Sequence, residues 1–194
     1  MSELSFPLVQ IDVGSLVQRS VATLYSHLVT RPTGRAVRMA IESLLADAGE
    51  AAVSLIDLSE VTVLDFSCAD EVVAKLLLRY LGDDRPREAY FAILGLRDLH
   101  REPIEAVLER QQLATVARRG DGTFELLGVV SGPEASAWRV VETHGRIRRD
   151  QVEELLPAAD DRTALAALVR RRLVFDDVRS GTVHALSRLA ARSA

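Results

Sequence analysis

The spacing of apolar residues in the first two thirds of the chain predicts strands that alternate with helices. Apolar and polar residues alternate over residues 4–13, which predicts a half-buried strand ending at Gly14. Residues 15–29 leave two interpretations open, because their apolar residues are close to helical spacing while residues 23–29 could equally form a second strand. A polar break at residues 30–34 follows.

Beyond this break the predicted elements alternate regularly. We expect helices at residues 35–49, 68–82 and 103–113, buried strands at 52–59 and 89–96, and a hairpin of two strands at 114–119 and 123–128. Gly49 is placed as a C-cap, Ser67 opens the second helix with Asp70 completing a capping box, and Pro103 suits a first turn. This order predicts a mostly parallel sheet covered by helices.

The pattern changes at residues 129–133, which mark a predicted domain boundary. Short helices are expected at 134–145, 148–156 and 161–172, followed by a hairpin over 173–187 with its turn near Ser180 and Gly181. Three short helices and a hairpin match the winged variant of the helix-turn-helix. The expected domains are therefore residues 1–128, α/β, and residues 133–194, a small α+β winged helix.

The composition of the chain indicates the cellular compartment in which the protein is expected. The 194 residues are 48% hydrophobic, no stretch is long and apolar enough for a membrane helix, and the first ten residues lack a signal-peptide pattern. The single cysteine, Cys68, cannot form an internal disulfide, which favours a reducing compartment. We therefore expect a cytoplasmic protein without membrane contact.

Charge is unevenly distributed along the chain. The net charge is −4, with 13 basic and 18 acidic residues over 1–123 and 11 basic and 10 acidic residues over 124–194. This balance argues against generic nucleic-acid binding by the chain as a whole.

Residues 53–82 resemble the central strand, loop and helix of STAS domains. The shared features are Asp57-Leu58-Ser59 at a strand end, the Val61-x-x-Leu64-Asp65 turn, and Ser67 opening a hydrophobic helix. STAS domains form the anti-sigma-factor antagonists and the cytoplasmic tails of sulfate transporters. The closer resemblance is to the STAS-like group of unknown function called DUF4325, and it covers roughly residues 20–128.

The resemblance implies a regulatory protein that binds a protein partner, such as a histidine-kinase-like ATPase. The phosphorylatable serine of the antagonists falls on Ser67, within Asp65-Phe66-Ser67-Cys68, where the family pattern is Asp-Ser-Ser-Gly. Ser67, Asp65 and Cys68 are therefore the candidate partner or phosphorylation site. The negative charges of Asp65, Asp70 and Glu71 oppose the addition of a phosphate to Ser67. The alternative is that Ser67 only caps the helix.

A second candidate site precedes the first helix. Arg31, Thr33, Gly34 and Arg35 could surround a helix N-terminus, where free N–H groups and guanidinium groups bind anions. The alternative is that Thr33 caps the helix while the arginines pair with surface carboxylates.

Four arginines of the C-terminal domain are candidate DNA contacts. Arg162, Arg170 and Arg171 lie on or beside the third helix and Arg179 lies in the wing. Asp160 and Asp161 at the start of that helix would repel phosphates, so the domain could equally serve protein contact or dimerisation.

Catalysis and metal binding are not expected from the sequence. The pairing of Cys68 with His100 has no supporting motif, the four histidines lack ligand spacing, and no cofactor-binding motif is present. Two hypotheses remain: a non-catalytic interaction protein whose partner is another protein or a second copy, and a DNA-binding regulator with a STAS-like sensor domain.

Overall fold

A computed structural model describes residues 8–12, 27–47 and 51–190 of the chain. The chain folds into two compact units, Met1–Val129 and Val130–Ala194. Both units combine helices with strands, and the larger sheet is mixed, so the protein is of the mixed α/β class.

The first unit is built on a five-stranded sheet in the order β1-β3-β5-β6-β7. Its strands are β1 (Leu8–Asp12), β3 (Ala51–Asp57), β5 (Glu88–Leu94), β6 (Ala114–Arg118) and β7 (Phe124–Gly128). The first four are parallel and β7 pairs antiparallel with β6, with Ile56 registered on Ile93 in the centre. The mostly parallel sheet predicted from the sequence is confirmed, as is the β6–β7 hairpin.

Among the described residues, three helices accompany this sheet. Helix α1 spans Arg31–Ala46, α2 runs continuously from Phe66 to Leu81, and α3 spans Asp98–Arg110. The middle of α2, Asp70–Lys75, is a π-helix between two α-helical turns. Helix α2 contacts both α1 and α3, and apolar side chains from all three form one core with the sheet.

A short parallel pair of strands places the starts of α1 and α2 side by side. It consists of β2 (His27–Leu28) and β4 (Val63–Leu64), with Leu28 registered on Leu64. The Asp65 N–H donates to the Leu28 carbonyl at 2.9 Å. The strand interpretation therefore holds for His27 and Leu28, whereas residues 15–26, Gly14 and Gly49 lie outside the described residues.

Helix α1 begins four residues earlier than predicted. Thr30 is the N-cap, and its hydroxyl accepts from the Thr33 N–H at 3.4 Å. Pro32 fits this first turn because the N–H that it lacks would have no partner there. The predicted break therefore holds at Thr30 and is wrong for residues 31–34. Thr33 does not cap the helix, and Gly34 lies inside it.

Helices α2 and α3 also begin earlier than predicted. Asp65, not Ser67, caps α2, and its carboxylate accepts from the Cys68 N–H at 2.8 Å, so the predicted capping box is wrong. Pro103 lies in the second turn of α3 rather than the first, because the helix starts at Asp98 and its first turn holds only one apolar residue, Leu99, which gives no helical spacing to recognise.

The second unit contains four helices and a three-stranded antiparallel sheet of order β8-β10-β9 within the described residues. Its elements are α4 (Gly132–His144), β8 (Arg146–Arg148), α5 (Val152–Leu155, preceded by a 3-10 turn), α6 (Ala159–Arg170), β9 (Val174–Asp177), β10 (Thr182–Ala185) and α7 (Leu186–Ala190). The predicted helices and hairpin are confirmed. Strand β8 was not predicted, and Gly145, at φ +68°, ends α4 just before it.

Candidate functional site

The structure brings the first two candidate sites together at one end of the first unit. The Cys68 thiol donates to the Thr30 carbonyl, with sulfur and oxygen 3.0 Å apart. A Cβ atom added at Gly34 would lie only 2.9 Å from the Cys68 Cα, so the two helices approach as closely as a glycine permits. Ser67, Asp65 and Cys68 therefore lie beside Arg31, Thr33 and Gly34, a proximity that sequence spacing could not show.

Ser67 is held by its neighbour Asp65. Its hydroxyl donates to the two carboxylate oxygens of Asp65 at 2.9 and 3.2 Å, and the side chain is partly exposed. A phosphate on Ser67 would therefore be placed against a carboxylate, which repels it. This contact favours Ser67 as part of a rigid helix start.

Cys68 is enclosed in the core. Its side chain is 0% exposed, and burial, followed by the negative charge of Asp65, raises the pKa of the thiol to about 12. His100 is also buried, and its Nδ1 accepts from the Arg97 N–H at 3.4 Å. Burial lowers the pKa of His100. The two side chains are thus occupied with separate backbone groups.

We expect the Cys68 thiol to be unreactive in the native protein. Nucleophilic attack needs the thiolate, which a pKa near 12 makes scarce at neutral pH. In the native protein iodoacetamide should leave Cys68 unmodified over hours, whereas in urea it should alkylate one thiol per chain. Rapid native alkylation, followed by mass spectrometry, would contradict the described burial.

The candidate anion-binding residues are largely engaged with other groups. Arg31 donates to Asp70 at 2.7 Å and Glu71 at 3.2 Å, and the Thr33 hydroxyl is 2.8 Å from that of Thr30. Gly34 is buried, and its N–H donates to the Thr30 carbonyl at 3.0 Å. Of the four, only Arg35 is exposed without a hydrogen bond or ion pair to the described part of the chain.

A buried acidic pair in the π-helical turn of α2 was not predicted as a site from the sequence. Asp70 and Glu71 are nearly inaccessible, and they contact four cationic side chains. These cations are Arg31, Arg38, Lys75 and Arg110. A useful signal would have been two adjacent acids within a helix that is apolar around much of its circumference, because such acids are buried only when paired.

The cations keep both carboxyl groups ionised. Burial opposes the charged form of Asp70, but the hydrogen bond from Arg31 and the charge of Arg110 outweigh it, so its pKa is lowered. Burial likewise opposes the charged form of Glu71, but hydrogen bonds from Lys75 and Arg38 lower its pKa. The pair therefore ties α1, α2 and α3 together by charge.

Exposed apolar side chains surround the start of α2. Phe66, in its first turn, is 52% exposed, and Leu99, in the first turn of α3, is 77% exposed. Val63 on β4 and Val29 after β2 are also exposed. Both β4 and the first turn of α2 contact α3, and Val63 and Val29 flank the paired Leu28 and Leu64. We call these four exposed residues, Val29, Val63, Phe66 and Leu99, the apolar end.

The candidate DNA contacts of the second unit have different surroundings. Arg171 forms an ion pair with Glu134 at 2.6 Å, and Arg162 donates to the carbonyls of Leu156 and Pro157 at 3.1 and 2.6 Å. Arg170 and Arg179 are exposed at the end of α6 and in the hairpin turn. Two of the four therefore stabilise the unit itself.

Comparisons with known proteins do not point to a further site, and neither do the other features of the described residues. No protein-family model matches the chain, and no significant match was found among curated proteins or solved structures. Among the described residues, no group of three or more His, Cys, Asp or Glu side chains could hold a metal ion. Within the same residues, no helix is both long and apolar enough to cross a bilayer.

Proposed function

We propose that the chain is a non-catalytic regulatory protein of the cytoplasm, with a STAS-like first unit that docks a protein partner through the apolar end. The exposure of Phe66 beside Ser67 carries this proposal. The aromatic ring is half exposed to water in the free protein, and a bound partner would bury it. Burial of an exposed aromatic side chain stabilises a complex.

The contacts that hold the start of α2 support a docking role. Asp65 caps the helix, and the Cys68–Thr30 contact and the close approach at Gly34 hold its first turn against α1. A preorganised surface loses little entropy when a partner binds. The resemblance of residues 53–82 to STAS domains points to the same end of the molecule, and a histidine-kinase-like ATPase is the partner class that it suggests.

Replacing Phe66 with serine should weaken partner binding strongly without unfolding the protein. Loss of an aromatic anchor at the centre of an interface costs about 2 kcal/mol or more, roughly a 30-fold change in affinity. The matched control is Leu78→Ser, because Leu78 is exposed on a later turn of the same helix.

Affinity purification of tagged wild-type and variant proteins from the source cells measures this effect. We expect a partner that is retained by wild type and Leu78→Ser and lost by Phe66→Ser. Equal recovery with all three proteins would place docking elsewhere. Light scattering of the purified chain tests the further case in which the partner is a second copy.

We propose DNA contact by a winged-helix second unit as the alternative function. Its support is the order of three helices and a β-hairpin, together with the exposure of Arg170 and Arg179. The engagement of Arg162 and Arg171 within the unit makes this the weaker candidate.

Gel-shift assays with duplex DNA at low salt test the alternative. If the unit binds DNA, Arg170→Ala combined with Arg179→Ala should weaken binding on every sequence, by about tenfold or more, because phosphate contacts dominate such affinity. Arg188→Ala, on α7, is the control. Absence of a shift with wild type would leave protein contact as the role of the unit.

A further inference from the structure

Three partly exposed cations cover the buried carboxylates of α2. The side chains of Arg31, Lys75 and Arg110 are 50%, 43% and 58% exposed, while those of Asp70 and Glu71 beneath them are 6% and 3% exposed. The surface presented to solvent is therefore positive, although the negative charge that anchors it is close by. We call Arg31, Lys75 and Arg110 the cationic strip.

The cations outnumber the carboxylates that they contact. Arg31, Arg38, Lys75 and Arg110 meet Asp70, Glu71 and the Glu42 partner of Arg38, so the cluster carries a net charge of +1.

The cationic strip comes from three different helices that the fold brings together. Arg31 lies in the first turn of α1, Lys75 ends the π-helical turn of α2, and Arg110 ends α3. Phe66 lies in the first turn of α2, before Lys75 on the same helix.

We infer that the docked partner presents an acidic segment whose carboxylates accept hydrogen bonds from Arg31, Lys75 and Arg110 while an apolar side chain packs on Phe66. Charge complementarity selects this occupant, because exposed cations favour an anionic partner and reject a basic one. The inference rests on the proposed docking at the apolar end.

Selection from a phage-displayed library of random peptides on the full chain tests this inference, and it does not require the partner to be identified. We expect the enriched peptides to be rich in Asp and Glu and to contain an apolar residue. Synthetic copies of the best peptide, and of the same peptide with Gln and Asn in place of Glu and Asp, are then titrated by fluorescence anisotropy. The neutral copy should bind at least about tenfold more weakly.

Matched variants locate the binding surface. Lys75→Gln combined with Arg110→Gln should weaken binding of the acidic peptide about tenfold, because each substitution removes one exposed ion pair with the peptide. Arg119→Gln should leave the affinity unchanged, because Arg119 is equally exposed but pairs with Glu125 at the β6–β7 hairpin. Circular dichroism verifies that each variant is folded.

The outcomes separate this inference from the proposed function. If the selected peptides are neutral and bind the Phe66→Ser variant more weakly than wild type, the acidic partner is contradicted but docking at the apolar end is supported. If the selected peptides are acidic and their affinity depends on Arg110 but not on Phe66, binding at the cationic strip is supported and docking at the apolar end is contradicted. The inference would be overturned if the selection enriched no peptide, or if Arg119→Gln weakened peptide binding as much as the double substitution. It would also be overturned if duplex DNA displaced the bound peptide.

Discussion

Replacing Gly34 with valine is expected to lower the free energy of unfolding of the first unit by about 3 kcal/mol, because the added side chain has no space. A Cβ atom at this position would lie 2.9 Å from the Cys68 Cα, 3.1 Å from the Glu71 Cβ and 3.3 Å from the Cys68 sulfur. The first of these atoms is backbone and cannot rotate away. Helix α1 would have to move from α2, which disturbs the caps, the core and the ion pairs together.

Urea unfolding followed by circular dichroism measures this effect. Gly132→Val is the control, since Gly132 also lies in a first helical turn and has no atom near its added Cβ. Its effect should stay within about 0.5 kcal/mol, the usual size for a surface substitution. A Gly34→Val protein as stable as Gly132→Val would show that α1 and α2 are not as close as described.

Acid is expected to destabilise the first unit through Asp70 and Glu71. The pKa values of both groups are lowered in the folded protein from ordinary values of 3.8 and 4.5. Below those values the unfolded chain therefore binds protons that the folded chain does not, so stability falls as pH falls. The contribution is fully present above about pH 5 and is lost as the pH passes through the lower pKa values of the folded state.

The double substitution Asp70→Asn and Glu71→Gln should remove this dependence. At neutral pH it should reduce the free energy of unfolding by about 3 kcal/mol, the usual effect of breaking a buried ion pair. At acid pH the two proteins should become similar in stability. If the free energies of unfolding of wild type and variant changed in parallel between about pH 6 and 3, the pair would not be the source of the pH dependence.

Asp121→Asn is the control for this experiment. The pKa of Asp121 is lowered by hydrogen bonds from Thr123, but the group lies exposed in the β6–β7 turn, where solvent screens its charge. Its removal should change the pH profile much less than removal of the buried pair.

The order of elements in the first unit followed from the hydrophobic pattern, because buried strands and amphipathic helices need different periods. The Ala51–Asp57 and Glu88–Leu94 strands are near-continuous apolar runs, as is typical of central parallel strands. The starts of the helices were the main errors. The first turns at Arg31 and Asp98 are mostly polar, and the single apolar Leu99 gives no helical spacing by which to recognise the start of α3.

The candidate site was only partly predictable for a related reason. The sequence identified Asp65, Ser67 and Arg31 as separate features, but their meeting depends on the parallel pairing of two two-residue strands. Asp70 and Glu71 lie in a π-helical turn, and cations from other helices cover both acids. Neither of these features has a period that could be recognised in one sequence.

Site-specific photo-crosslinking at position 66 tests the central claim most directly. The full chain would carry benzoylphenylalanine in place of Phe66, or in place of Leu78 as control, in the source cells. Docking at the apolar end predicts a discrete crosslinked partner from position 66, identified by mass spectrometry, and little or none from position 78. Crosslinks of equal yield at both positions, or from position 78 alone, would contradict the proposed docking surface.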